Sequence, residues 1–233
     1  MNHGKYTIVR VYEESKKALF SPRSYFADME TDAGWGEPIY KAFIYGIASG
    51  LFILLWSFLD IIGITDGVFT GDVGVIGFFS TIAGAVAGVF IGGVIIIIVS
   101  SVCDGRTDFE SGLRIASALM VVLSLNAFLG FFDGISYVLG AVISLGVNLY
   151  GVYMLYLALT IALKADDKPV RIFSYILSGI LVLALVFILY ARNSVKNYQE
   201  ELEEKKEERM PTANLGMDGY WMFDRNWEVG SRH

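Results

Sequence analysis

The sequence predicts an all-α, polytopic membrane protein with five transmembrane helices and an amphipathic helix at its N-terminal side. Three observations carry this. Hydrophobic residues make up 55% of the 233 and mean hydropathy is +0.54, against roughly 45–50% apolar for a soluble domain. The excess is gathered into long runs almost free of charge, as spanning segments require. Lysine and arginine then alternate from one inter-helix connection to the next, as they do when successive loops lie on opposite sides of a bilayer.

Residues 1–38 form the first unit, an amphipathic segment expected on the cytoplasmic side. Lys5 to Phe20 mixes Ile8, Val9, Tyr12, Leu19 and Phe20 with Arg10, Glu13, Glu14, Lys16 and Lys17, a pattern that predicts an amphipathic helix lying in the membrane interface. Ser21 suits an N-cap and Pro22 the first helical position, where its missing N–H costs nothing. Pro22, Tyr25 and Phe26 are expected to face the interface, with Met29 on the same side. Gly34 to Pro38 breaks the helix and sets Trp35 where interfacial tryptophans sit.

The five-helix unit is expected over residues 39–191. Its first span is Tyr40 to Ile64, with Gly46 and Gly50 spaced as GxxxG and Asp60 at headgroup level. The turn Thr65-Asp66-Gly67 and a glycine-rich run lead to the second span, Val75 to Val102, which is 28 residues without a charge. Gly84, Gly88 and Gly92 stand four apart there, and Gly77 and Thr81 continue the line. Residues three or four apart share one helix face, and in lipid a stripe of small residues is where a neighbouring backbone approaches. The third span is Leu113 to Phe132. Asp133-Gly134 is expected as a tight turn into the fourth, Ile135 to Leu163, whose Gly140 and Ser144 are expected to meet the glycine stripe. Pro169 opens the fifth, Val170 to Ala191.

Six basic residues precede or begin the first span, counting Lys41. The first and third loops have none. The second carries Arg106, with Arg114 at its rim, and the fourth carries Lys164 and Lys168, with Arg171 just inside the next span. The N-terminus and the second and fourth loops are therefore expected in the cytoplasm, and five spans place the C-terminal tail outside, against the weak pull of Arg192 and Lys196. Residues 192–233 read as a charged extension of the fifth helix, with Glu201 able to pair with Lys205. Pro211 ends it, and an aromatic stretch from Gly219 to Trp227 follows.

Function classes fall away quickly. The formal net charge is -6 and nine of the 24 acids follow residue 191, so no broad basic surface invites nucleic acid. Cys103 is the single cysteine, and His3 and His233 lie near the two ends. The sequence thus predicts no disulfide, no metal site and no cofactor. No Ser/His or Cys/His pair suits nucleophilic catalysis, so no catalytic residue is assigned. The first 38 residues lack the apolar core of a signal peptide. The acidic peptide Asp104 to Glu110 does not match a calcium loop. It reads better as a helix start: Thr107 and Glu110 make a capping box, and Glu110 can pair with Arg114. Within the spans, Asn126 and Asn148 are the polar groups that need partners.

Two stretches resemble one family. FSPRSYF, residues 20–26, and TDFESGLRIASALMVV, residues 107–122, are similar to the pre-span helix and the third-helix start of bacterial Yip1-domain proteins. The resemblance covers residues 15 to 191. It implies five spans with a cytoplasmic N-terminus, in a prokaryotic cytoplasmic membrane. Eukaryotic members associate with Rab GTPases, but the Asp-Leu-Tyr-Gly-Pro-type element of those members is missing here, so no Rab-type partner is carried over. The leading expectation is a non-enzymatic protein that assembles with other membrane proteins, or with itself, and shapes or senses the bilayer. The competing one is a lipid or small-solute translocator, with a polar path between the second and fourth helices formed by Ser80, Thr81, Asn126, Ser144 and Asn148.

Overall fold

The computed structural model describes residues 7–30, 34–58 and 73–209. The expectations for Asp60, the Thr65–Gly67 turn, Pro211 and the aromatic stretch 219–227 lie outside those residues. The described residues are helical almost throughout. Helices α1 (Ile8–Phe20) and α2 (Pro22–Ala27) precede α3 (Gly36–Phe58), α4 (Val73–Val102) and α5 (Phe109–Leu129). A short α6 (Phe131–Ile135) leads to α7 (Tyr137–Leu157), which runs into a π-helical turn, Ala158–Ala162, before α8 (Asp167–Arg209). Five segments are long and apolar enough to cross a membrane: Gly36–Trp56, Val75–Val102, Phe109–Ile135, Tyr137–Ala162 and Asp167–Arg192. The protein is thus an all-α, multi-pass integral membrane protein.

By contact density the chain divides into two units, Met1–Leu185 and Val186–His233. The described part of the second is the continuation of α8. That helix has 43 residues, where crossing a hydrocarbon core takes only about 20.

Inside the first unit, α3, α4 and α5 pack on one another, α7 packs on α5, and α2 lies against α7 and the π turn. Small residues set the spacing. A methyl group on Gly46 would stand 2.9 Å from Ile82 Cα, and one on Gly50 would stand 2.8 Å from the Phe78 ring. Between α4 and α5, a methyl on Gly112 would reach 2.8 Å from the Gly93 carbonyl oxygen. Backbone therefore nearly touches backbone at both seams.

Three local expectations are corrected. Asp133 and Gly134 do not make a tight turn. They lie inside α6, and the break comes at Ser136, whose backbone is extended (φ −160°, ψ 124°). The N-cap of α5 is Asp108 rather than Thr107, and the Ser111 hydroxyl donates to its carboxylate. Arg114 turns away from Glu110 toward the bundle, where Glu37 and the Glu30 carbonyl are its partners.

Candidate functional site

The most organised polar feature is a clasp where α1 and α2 meet one end of the bundle. Lys41, one turn into α3, lies 2.5 Å from Glu14 Oε2 on α1 and 2.8 Å from Glu37 Oε1 on its own helix. Glu37 offers its other oxygen to Arg114 Nη2 of α5 at 3.0 Å, and Arg114 Nη1 donates to the Glu30 carbonyl at 2.5 Å. Lys41 and Arg114 are only 7% and 6% exposed. Charges this deep are retained only when paired. One carboxylate, Glu37, thus answers two buried cations on two different helices. Around this centre Ser15 and Tyr45 share a hydrogen bond of 2.7 Å. The Tyr150 hydroxyl of α7 donates to the Leu19 carbonyl at the end of α1. Lys17 closes the α1–α2 hairpin on Asp28 at 2.7 Å. The clasp borders a cavity of about 200 Å³.

Electrostatics follow the packing. Burial pushes the Tyr25 phenol above its usual range, with the nearby Lys41 charge opposing it. The hydrogen bond to Glu14 raises the Arg10 guanidinium further. The side of α1 away from the clasp is different. Ile8, Val9, Tyr12 and Phe20 are exposed, Phe20 by 80%, while Val11 and Ala18 are buried.

The second and fourth loops sit at this same end and are hydrogen-bonded to each other. The Arg106 amide donates to the Leu163 carbonyl and the Asp166 amide to the Cys103 carbonyl, both at 2.8 Å. Asp104 and Lys164 take left-handed conformations at these turns (φ 55° and 52°). The three basic connections identified from sequence therefore share one end. The far end carries an aromatic group instead: Phe52 and Trp56 of α3, Phe128 of α5 and Phe131 of α6, with Trp56 Nε1 donating to the Ala127 carbonyl at 2.8 Å.

The residues singled out from sequence are not brought together as expected. Tyr25 and Phe26 are buried, Phe26 to 1% exposure, so they fill the protein rather than face outward. Pro22 does start α2 and is half-buried. Trp35 is exposed and meets Phe109 edge-on at 5.4 Å. The glycine stripe of α4 faces α5, not α7. A methyl on Gly92 would stand 3.4 Å from Ala116 and one on Gly88 3.2 Å from Met120, while Gly84 has nothing within 4 Å. Gly140 instead abuts Asp133 of α6. The supposed polar path does not assemble either. Ser80 and Thr81 bond back to the Gly77 carbonyl, at 3.1 and 2.7 Å. Asn148 donates to the Ser144 carbonyl at 2.8 Å and to its hydroxyl at 3.3 Å. Asn126 Oδ1 is buried with no hydrogen-bond partner. Each serine, threonine or asparagine with a partner here finds it within its own helix, one turn away.

Sequence reasoning missed the pairs that do join helices. Ser49 of α3 is fully buried and shares a 3.0 Å hydrogen bond with Ser124 of α5, which also donates to the Tyr45 carbonyl at 3.2 Å. Nothing in the spacing of two serines distant in sequence announces this. The clasp did leave a signal. Glu37 and Lys41 are four apart at the start of a span, and so able to pair on one helix face.

The Yip1 domain family model matches residues 16–190. Neither the curated proteins nor the solved structures contain a significant match. The matched region runs from the second half of α1 into the fifth span and includes Glu37, Lys41 and Arg114 of the clasp but not Glu14. By that match the chain belongs to the Yip1-domain family of integral membrane proteins.

Proposed function

We propose that this chain is a non-enzymatic membrane protein that assembles with other membrane proteins and senses or shapes the bilayer through its N-terminal helices. The observation that carries this is the two-sided build of α1. One side exposes Ile8, Val9, Tyr12 and Phe20; the other is tied to α3 by the Lys41–Glu14 pair and the Ser15–Tyr45 bond. A helix with its apolar face in the headgroup boundary responds to lipid packing and curvature. The clasp passes that response to the first span, and through Glu37 and Arg114 to the third. On this reading the clasp end faces the cytoplasm of a prokaryotic cell and the C-terminal tail lies outside.

The test is an environment-sensitive fluorophore at Tyr12→Cys, in a Cys103→Ala background, with the protein reconstituted in large and small vesicles. Blue-shifted emission, shielded from aqueous iodide and changing with vesicle diameter, is the expected result. A label equally quenched in every vesicle overturns the sensing role. Assembly is tested separately, by mass measurement after extraction in mild detergent; a strict monomer without co-purifying protein overturns it. The competing translocator reading draws no support from the polar residues of α4 and α7, whose hydrogen bonds are spent within their own helices.

A further inference from the structure

Little of α8 is covered by protein. Among its described side chains Val170 and Ser174 are the buried ones, while Ile172, Tyr175, Ile176 and Ile180 are exposed. Next to the fourth loop, a groove of about 340 Å³ lies between α7 and α8. That is within the range of small-molecule sites, about 300–1,000 Å³. Its walls are two stripes of the same periodicity. Leu149, Val152, Tyr153 and Tyr156 line it from α7, and Arg171, Ser174, Tyr175 and Ser178 from α8. Positions i, i+3, i+4 and i+7 share one helix face, so each helix turns a whole face to the gap. The loop end of the groove is ionic. Arg171 Nη2 stands 2.5 Å from Asp167 Oδ2, and the Tyr156 hydroxyl donates to the other Asp167 oxygen. Leu149 lies about 10 Å further along the helix than Tyr156, at 1.5 Å per residue. None of the groove residues belongs to the clasp.

The geometry points to one phospholipid with a zwitterionic headgroup as the occupant of this groove. Three observations select it. The first is setting. Both walls belong to segments long and apolar enough to cross a membrane, Tyr137–Ala162 and Asp167–Arg192, so lipid is the medium that meets the gap. The second is order. Asp167, Arg171 and Tyr156 lie nearest the fourth loop, where a span emerges at headgroup level, and Leu149 and Val152 lie deeper. Charge, phenol and hydrocarbon thus follow one another as they do from the headgroup to the chains of a phospholipid. The third is charge. Asp167 engages Arg171 at Nη2, and a planar fork of five N–H donors has capacity for a phosphate diester as well. Asp167 then meets the ammonium that a zwitterionic headgroup carries beyond its phosphate, and the phenol rings of Tyr153 and Tyr156 are its cation–π partners. A headgroup of net negative charge meets Asp167 as a like charge instead. The Arg171–Asp167 pair is about half exposed on both sides, 56% and 50%. Ion pairs of that kind contribute little, so the pair opens to a ligand at small cost.

The test uses the full chain, delipidated in mild detergent and titrated with phosphatidylethanolamine or phosphatidylglycerol of the same acyl chains. Bound lipid is counted by native mass spectrometry. One tightly held phosphatidylethanolamine per chain is expected, with several-fold weaker retention of phosphatidylglycerol. Arg171→Gln is expected to weaken phosphatidylethanolamine binding about tenfold, the loss of a hydrogen bond to a charged group. Asp167→Asn is expected to turn the preference toward phosphatidylglycerol, a gain that a misfolded protein does not show. Ser178→Phe fills the deep end and is expected to weaken both lipids alike. Equal retention of the two lipids by the parent and by Arg171→Gln overturns the site. Displacement by soluble glycerophosphoethanolamine as effective as by the lipid overturns a lipid occupant in favour of a free phosphodiester. A dimer that excludes lipid and is lost in Ser178→Phe overturns it in favour of a helix from a second copy. The sensing role of α1 is untouched by any of these outcomes, because its vesicle experiment reads a different surface.

Discussion

The Lys41 ammonium stands 2.5 Å from Glu14 Oε2, on a helix 27 residues earlier in the chain. Lys41 keeps a second carboxylate, Glu37, within 2.8 Å. This arrangement ranks the clasp variants. Glu37→Gln leaves the buried Arg114 without its carboxylate partner and Lys41 with Glu14 alone, and is expected to cost on the order of 3–5 kcal/mol, the usual penalty for orphaning a buried charge. Glu14→Gln leaves Lys41 paired and costs less. Thermal unfolding in detergent, followed by loss of the monodisperse peak, gives the order; equal effects would contradict a shared Glu37.

Loosening α1 without disturbing the spans is the aim of Tyr150→Phe. It deletes only the hydroxyl that bonds the Leu19 carbonyl. A lost hydrogen bond of this kind is worth about 1 kcal/mol, and the protein is expected to remain folded. Limited trypsin cleavage at Lys16 or Lys17 should accelerate several-fold, while cleavage at Arg106 should not change.

Gly112 and Gly84 separate packing from composition. A side chain on Gly112 would drive into the Gly93 carbonyl and the Ile97 side chain, whereas Gly84 has open space around it. Gly112→Val is expected to destabilise by about 1–3 kcal/mol through overpacking. Gly84→Leu should stay within about 0.5 kcal/mol of the parent. The two melting temperatures check this directly.

Cys103 reports on the stitched loops. It is 2% exposed. Burial, followed by the negative charges of Asp104 and Asp166, pushes its thiol above the ordinary range. The thiolate is the reactive form, so a raised pKa lowers its fraction at neutral pH. Alkylation by N-ethylmaleimide at pH 7.5 is expected to be slower than for an ordinary thiol, because less of Cys103 is thiolate and the sulfur is buried. The rate should keep climbing above pH 9, where an ordinary thiol levels off. Denaturation should abolish the difference.

What the sequence disclosed, and what it did not, divides along physical lines. Five spans and the helical continuation of α8 are written in runs of one residue class, and such runs survive any packing. Which faces meet is a different matter. Gly84, Gly88 and Gly92 mark a small-residue face, but spacing on one helix carries no information about its neighbour. The face turned out to serve α5, with the tightest approach one residue over, at Gly93. Tyr25 and Phe26 are aromatic enough for an interface and equally suited to a core; only the arrival of α7 and the π turn decides. The clasp joins Glu14, Glu37, Lys41 and Arg114 across three helices, and only the pair within α3 has a local spacing to betray it.

The Tyr150–Leu19 bond spans 131 positions. A ribosome adding roughly 5–20 residues per second takes on the order of ten seconds to deliver the second partner after the first. Over that interval α1 can reach Lys41 of the first span and, later, pack on the third, but the Leu19 carbonyl lacks its Tyr150 partner. The Ile8, Val9, Tyr12 and Phe20 side chains of α1 are exposed even in the finished fold. The bond that latches the end of α1 to α7 is thus a late event of biosynthesis, and a chain arrested before Tyr150 would lack it.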